Sequence, residues 1–170
     1  MTESSTIQPD DPFAEIRPFS NAEAPDVFRR LVHDEELIET IARWRFPIPY
    51  RVLRSAARFM ARIWLRVAAR KLSTVEDLQN LIAPNLARMI NKTSRFSVSG
   101  VNALDLEQPR VYLSNHRDIA MDPAYANYAL HSTGAKTLAV AIGDNLLSKP
   151  WVADLMRLNK SFVVKRNVNG

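Results

Sequence analysis

The chain contains no cysteine among its 170 residues, which excludes disulfide bonds and thiolate chemistry. This absence is typical of a cytosolic protein. Glycine occurs only four times, and no glycine-rich loop of the kind that cradles phosphate groups is present. Histidine and the acidic residues nowhere recur at the spacing of metal ligands. The sequence therefore predicts no metal site and no bound cofactor.

An apolar stretch of the kind found in secretory signals is missing from residues 1–20, which are mainly polar and contain three prolines. We predict that this segment is a mobile leader. We expect the protein to remain in the cytoplasm or at the cytoplasmic face of a membrane.

Acidic residues are absent between Thr40 and Val75, although nine basic residues lie there. Residues 1–39 hold three arginines and ten acids, whereas residues 40–170 hold twenty basic residues and eight acids. The two parts therefore carry net charges of −7 and +12. This asymmetry predicts an anionic partner for the basic part, either lipid headgroups or nucleic acid.

Within this basic segment, residues 50–71 show one long helical pattern in which arginine recurs at every fourth position. On a helix with 3.6 residues per turn, this repeat makes a slowly winding arginine stripe opposite an aromatic and aliphatic face. The pattern predicts a helix lying in a membrane interface, and an arginine at every turn excludes a transmembrane span. The alternative is a surface helix that packs its apolar side on the domain core. The stripe residues are Arg51, Arg54, Arg58, Arg62, Arg66 and Arg70.

Helical periodicity extends over residues 21–92, which we predict to be a helical region. The other predicted features of this region are two short helices within residues 22–45, a break at Pro47 and Pro49, and a helix over residues 74–91 that is capped by Ser73 and kinked at Pro84.

From residue 93 onward the pattern changes to alternating strands and helices. Alternation of this kind implies an α/β fold in which N-terminal helices are followed by a mainly parallel sheet with flanking helices. Active residues of such sheets lie at the carboxyl ends of the strands. The predicted strands are residues 96–99, 110–113, 137–142 and 161–166, and the predicted helices are residues 123–131 and 146–158.

One stretch has the pattern of a catalytic site, because it places His116 on a loop between a predicted strand and a predicted helix. Asp118 and Asp122 follow the histidine, and Asp122 with Pro123 is typical of a helix start in which the aspartate is the N-cap. A neutral imidazole there takes a proton from an approaching hydroxyl. A carboxylate against its other ring nitrogen stabilises the imidazolium that forms.

These residues resemble the first motif of the glycerolipid acyltransferases, which consists of Asn-His, four variable residues and Asp after a strand. In this chain five residues separate His116 from Asp122. Either the loop bulges by one residue and Asp122 partners the histidine, or Asp118 takes that role. We favour Asp122, because a loop that ends at an N-cap need not obey helical spacing.

A second segment, KSFVVKR over residues 160–166, resembles the second motif of the same family, an aromatic and aliphatic strand that closes on an arginine. The resemblance implies that Arg166 binds the phosphate of the acceptor, with help from Arg117, because a guanidinium bonds phosphate oxygens in pairs. Side chains alternate along a strand, so Lys165 is expected to point away from the site.

The resemblance covers about residues 95–166 and implies the glycerolphosphate acyltransferase fold for residues 93–170. The family's third motif, of Glu-Gly type, is not found, and the sequence ends four residues after Arg166. We therefore expect a truncated coding sequence, an incomplete sheet, and an N-terminal fragment of an acyltransferase; the sequence leaves open whether this fragment folds well and is active by itself.

The implied reaction transfers a fatty acyl group to a glycerol-phosphate or lysophospholipid hydroxyl in phospholipid biosynthesis. The acyl donor would be acyl-CoA or acyl carrier protein, as a co-substrate, and the enzyme would be peripheral on the inner face of the cell membrane, bound to its anionic surface. The alternative is a non-enzymatic basic helical module that binds an anionic membrane or nucleic acid. Nucleic acid is not the expected partner, because the face opposite the arginine stripe is too continuously apolar.

Overall fold

The structure, a computed structural model, describes residues 11–105, 108–115 and 117–166. The helices are α1 (Ala24–Leu31), α2 (Glu35–Arg45), α3 (Pro47–Val52), α4 (Arg54–Ala69), α5 (Val75–Thr93), α6 (Met121–Ser132) and α7 (Pro150–Leu158). The strands are β1 (Val140–Gly143) and β2 (Ser161–Val164), and short 3₁₀ turns occupy Val101–Ala103 and Asp144–Leu146.

The predicted α/β class is confirmed: within the described ranges, seven α-helices accompany an open parallel sheet of the two strands β1 and β2. The strands predicted at residues 137–142 and 161–166 are present in shorter form. The strands predicted at residues 96–99 and 110–113 are wrong, since both segments are irregular. An extended segment becomes a strand only when a neighbour completes its backbone hydrogen bonds. Leu113 is 94% exposed, so its apolar character does not reflect burial here.

The two short helices predicted near the N-terminus are confirmed as α1 and α2. Asp34 caps α2, because its carboxylate accepts a hydrogen bond from the backbone N–H of Leu37 at 2.8 Å. Both helices bury the apolar residues that recur at spacings of three and four.

The single helix predicted over residues 50–71 is divided into α3 and α4 by Leu53, whose backbone is extended. The predicted break lies just before Pro47, because α2 ends at Arg45. Pro47 itself begins α3, since proline fits the first turn of a helix, where no N–H partner is required. The helix predicted over residues 74–91 is confirmed as α5, which continues through Pro84.

The cap of α5 differs by one residue from the prediction. The hydroxyl of Thr74, and not that of Ser73, accepts from the backbone N–H of Asp77 at 3.1 Å. The Asp77 carboxylate accepts in return from the backbone N–H groups of Ser73 and Thr74, each at 2.8 Å. This reciprocal arrangement is a capping box, which satisfies N–H groups that have no partner within the helix.

The chain divides into two compact units: the first comprises the residues up to Leu78 together with those from Ala141 onward, and the second comprises Gln79–Val140. The boundaries of these units differ from those of the predicted regions 21–92 and 93–170, because α7 and β2 pack with the N-terminal helices. The main core of the first unit consists of Ala24, Val27, Phe28, Leu31, Leu37, Leu78 and Leu158.

The described part of the predicted leader, residues 11–20, also makes contacts within the first unit; the first ten residues lie outside the described part. The backbone N–H of Val163 in β2 donates to the carbonyl of Ile16 at 2.7 Å. The guanidinium of Arg157 in α7 lies 3.9 Å from the centroid of the Phe19 ring. Hydrogen bonding and cation–π contact thus hold this segment against α7 and β2.

In the second unit, α6 packs on the irregular segment that follows α5. The ring of Phe96 stacks on that of Tyr125 with centroids 5.1 Å apart, and the Tyr125 hydroxyl lies 2.7 Å from the hydroxyl of Ser94. The amide oxygen of Asn127 accepts from the backbone N–H of Leu138 at 2.8 Å. These contacts hold α6 and therefore the loop that precedes it.

An ion pair between Arg17 and Glu23 makes the stability of the first unit depend on pH. The guanidinium donates to both carboxylate oxygens, at 2.7 and 3.0 Å. The backbone N–H of Ser20 adds a third bond at 2.8 Å. Chiefly because of the arginine, the pKa of Glu23 falls from its ordinary value of 4.5 to about 2.

We expect Glu23→Gln to lower the free energy of unfolding by about 1–2 kcal/mol at pH 7, a value reduced for partial solvent screening of a side chain that is 22% exposed. Because the folded pKa is depressed, the wild-type advantage is complete above about pH 4.5 and is lost as the pH falls through about 2. Urea unfolding of the wild type and the variant at pH 7, 4.5 and 2.5 measures this difference in the free energy of unfolding. A difference between wild type and variant that is constant with pH would contradict this origin. Glu36→Gln, which removes an exposed partner of Lys149, is the control and should change stability little.

Candidate active site

His116 lies outside the described residues, and the structure defines the loop on both sides of it. Asp118 begins the turn that leads into α6: one carboxylate oxygen accepts from the backbone N–H groups of Ala120 at 2.9 Å and Met121 at 2.7 Å. Such bonds from an aspartate to the next residues are a common helix start.

The prediction that Asp122 is the N-cap of α6 is wrong, because the helix begins at Met121, two residues before the predicted start at Pro123. The Asp122 carboxylate reaches back and accepts from the backbone N–H of Arg117 at 2.6 Å and from that of Asp118 at 2.9 Å. Asp122 thus holds the peptide group that directly follows His116. Both aspartates accept hydrogen bonds from backbone N–H groups, and the pairing of either one with His116 stays a prediction.

Arg166 lies just beyond the carboxyl end of β2, in the first unit, whereas Arg117 and Asp122 lie in the second. The backbone N–H of Arg166 donates to the carboxylate of Asp144 at 3.4 Å. The preceding Lys165 binds elsewhere, because its ammonium lies 2.9 Å from the carboxylate of Glu15 and lowers the pKa of that group. The Lys165 ammonium thus lies beside Glu15 and the Arg166 guanidinium beside Gly143, which agrees with alternation along a strand.

The turn after β1 bounds the guanidinium of Arg166 on one side. A Cβ atom added at Gly143 would lie 3.1 Å from Nε of Arg166 and 2.6 Å from the amide oxygen of Asn145. The backbone of Gly143 has φ −70°, which any residue adopts, so the lack of a side chain matters here and not conformational freedom. Gly143 and Asn145 were not among the residues predicted for the site. The available signal was that the carboxyl ends of neighbouring parallel strands meet at one edge of the sheet.

We expect Gly143→Ala to displace the Arg166 side chain while leaving the fold intact, since both crowded atoms belong to side chains that can rotate. The affinity for the acceptor that the sequence predicts, glycerol 3-phosphate, should fall about tenfold, because small misplacements of a binding group are costly. The Nε–H resonance of Arg166 in NMR spectra, with and without glycerol 3-phosphate, measures both effects. Adding Asn145→Ala removes the closest obstruction and should leave the arginine displaced. An unchanged Arg166 resonance in Gly143→Ala would contradict the role of this turn.

Part of the arginine stripe pairs with acids of α2 within the first unit. Arg54 lies 2.7 Å from Glu39, and Arg62 lies 2.7 Å from Glu35. Arg58 contacts both glutamates. Bonds from Arg62 and Arg58 lower the pKa of Glu35, and bonds from the Tyr50 hydroxyl and then from Arg54 lower the pKa of Glu39. Sequence reasoning missed these pairs, although a spacing of four on both helices was a usable signal. The prediction that the whole stripe faces a membrane stays a prediction.

The same region of the first unit contains an open pocket of about 660 Å³, which is lined by none of the residues predicted for catalysis. Its walls mix acids of α2 with basic groups, so its charges are largely satisfied within the protein. It is lined by Glu35, Glu36, Glu39, Thr40, Arg43, Trp44, Arg54, Arg58 and Lys149.

Two further findings concern the part of the chain that the structure describes. None of its helices combines the length and the apolar character needed to cross a membrane. Its His, Asp and Glu side chains form no group of three or more that could hold a metal ion.

Comparison with known proteins bears on the segment that holds both motifs. The family model described as Acyltransferase matches residues 95–170. Comparison with curated proteins and with solved structures gave no match. The matched segment contains His116, Asp118, Asp122 and Arg166. Residues 95–170 are therefore similar to a family whose general chemistry is acyl transfer.

Proposed function

We propose that this chain is an O-acyltransferase that transfers a fatty acyl group from acyl-CoA or acyl carrier protein to a glycerol-phosphate or lysophospholipid hydroxyl. The observation that carries the proposal is that one acyltransferase match spans both motif-like segments, residues 115–122 and 160–166. Phospholipid biosynthesis at the inner face of the cell membrane is the corresponding cellular role.

In the proposed mechanism, His116 accepts the proton of the acceptor hydroxyl, and the alkoxide oxygen attacks the carbonyl carbon of the thioester. Collapse of the tetrahedral intermediate forms the ester and breaks the carbon–sulfur bond. The thiolate that leaves takes the proton back from the imidazolium, so the histidine is regenerated. Asp122, or alternatively Asp118, would stabilise the imidazolium.

Recognition of the acceptor is assigned to Arg166, with Arg117 as a second cation. A guanidinium at the end of a strand offers paired donors to the oxygens of a phosphate monoester. The bond between the Arg166 backbone and Asp144 and the clearance at Gly143 support this role, because they restrict where the arginine lies. Fixing the phosphate would hold the hydroxyl near the base, which lowers the entropic part of the barrier.

The absence of cysteine makes the proposal simple to test, because the protein itself contributes no thiol background. The purified chain is incubated with palmitoyl-CoA or palmitoyl-acyl carrier protein and with glycerol 3-phosphate, 1-acylglycerol 3-phosphate or glycerol. We expect thiol release, and an ester product by mass spectrometry, with the two phosphate acceptors and not with glycerol. Failure to form ester from any donor and acceptor pair would overturn the proposal.

A further inference from the structure

The C-terminal part of α4 carries an exposed apolar ridge, which consists of Phe59, Ile63 and Val67. These residues recur at a spacing of four, so they lie along one side of the helix. Their exposed fractions are 63%, 45% and 48%. Three large apolar side chains along two turns of an exposed helix are unusual unless another surface covers them.

The buried side of α4 lies opposite this ridge. Ala57 and Ala61 are fully buried against α2, where they form a cluster with Ile38 and Ala42. At about 100° per residue, the two helix alanines lie about 160° around the axis from Phe59. The helix therefore packs on its own unit through small residues and presents its large apolar residues outward.

Because the arginine stripe winds around α4, some of its arginines lie near α2 and others lie on the exposed side of the helix. A repeat of four advances the stripe by about 40° per step on a 3.6-residue helix. Its first members on α4, namely Arg54, Arg58 and Arg62, reach the acids of α2. Its last members, Arg66 and Arg70, fall within about 20° of Phe59, on the exposed side.

Arg66 and Arg70 are exposed, and within the part of the chain that the structure describes they contact no acidic side chain. The sequence contains no acid between Thr40 and Val75, so no carboxylate of α3 or α4 lies beside them. The exposed side of α4 therefore combines an apolar ridge with unneutralised guanidinium groups.

We propose that the apolar ridge, with Arg66 and Arg70, is the surface that docks on the anionic leaflet of a bilayer. Apolar side chains enter the boundary between headgroups and acyl chains, while arginines reach lipid phosphates through their aliphatic stems. Nucleic acid fits this side poorly, because a phosphate backbone gains nothing from Phe59 and Ile63. This inference rests on the proposed function in one respect: docking on a bilayer would give the enzyme access to lipid substrates.

Vesicle flotation tests the surface without measuring acyl transfer, so the two proposals can fail separately. The chain is mixed with vesicles of phosphatidylcholine containing 30% phosphatidylglycerol, or with phosphatidylcholine alone, in 0.15 M salt. We expect Arg66→Gln with Arg70→Gln to reduce partition onto the anionic vesicles about thirtyfold. Phe59→Ser with Ile63→Ser should reduce it by about tenfold or more.

The matched control removes two positive charges from the same helix at positions whose arginines form ion pairs with acids of α2. Arg54→Gln with Arg58→Gln should change partition less than about threefold, because screening at this salt confines the leaflet's attraction to nearby charges. Circular dichroism shows that each variant is folded. Equal losses from both arginine pairs would overturn the assignment to this ridge, as would the absence of flotation with wild-type protein.

A label gives a second measurement that does not depend on affinity. The chain has no cysteine, so Ile63→Cys and Arg29→Cys each accept a single environment-sensitive fluorophore. Both positions are exposed in the first unit, the second one on α1. We expect a blue shift on anionic vesicles at position 63 and none at position 29. Equal shifts at both positions, or duplex DNA binding with a steep salt dependence and no lipid binding, would overturn the proposal.

Discussion

Replacing His116 with alanine is expected to lower the rate of acyl transfer a hundred- to ten-thousandfold, the range that a general base typically contributes. The loss should appear in kcat, because the imidazole acts on the proton as the hydroxyl attacks and contributes little to acceptor binding. Steady-state kinetics with palmitoyl-CoA and glycerol 3-phosphate measures this change.

The matched control is His33→Ala, which removes an exposed histidine at the end of α1 whose ring contacts the carbonyl of Arg29. This variant should retain the wild-type rate. Glycerol 3-phosphate binding, followed by calorimetry, should be unchanged in His116→Ala. A kcat within about threefold of wild type would remove His116 from the mechanism, and a loss of binding with equal loss of rate would indicate a structural role.

Replacing Arg166 with alanine is expected to raise the KM for glycerol 3-phosphate roughly ten- to a hundredfold. Hydrogen bonds to charged groups contribute about 1.5–3 kcal/mol, and a paired guanidinium–phosphate contact lies within this range. Arg166→Lys should recover part of the loss, since an ammonium keeps the charge without the planar fork. Calorimetric titration with glycerol 3-phosphate gives the same comparison without turnover.

Lys165→Ala is the control for Arg166, because it removes the neighbouring positive charge from the same strand end. Its ammonium binds Glu15, so the KM for the acceptor should change little. If both variants weakened binding equally, the effect would reflect the overall positive charge of this region. If neither did, Arg166 would not be the phosphate-binding residue.

The helical part of the fold was predictable because its signals are local. The apolar spacing of Phe28 and Leu31 is enough to place α1, and Asp34 marks the start of α2. The start of α6 was misplaced by two residues, since Asp118 and Asp122 are both good helix-start residues. The choice between them depends on which backbone N–H groups each carboxylate reaches.

The strands predicted at residues 96–99 and 110–113 were wrong for a different reason. Val111 and Leu113 have the composition of a buried strand, yet both are exposed on an irregular segment. A strand depends on a neighbour distant in sequence for its hydrogen bonds, so its composition alone does not decide its state. β2 forms because Val163 and its neighbours lie beside β1 and the segment that contains Ile16.

The sequence by itself determined the α/β class, the separation of acidic and basic parts, and the two motif-like segments around His116 and Arg166. These features depend on residue type and order, which no folding step changes. Only the tertiary structure decided which members of the arginine stripe face α2 and which face outward, and which turn bounds Arg166. The physical reason is that a stripe winding by about 40° per step crosses several environments, and packing against α2 selects where each arginine falls.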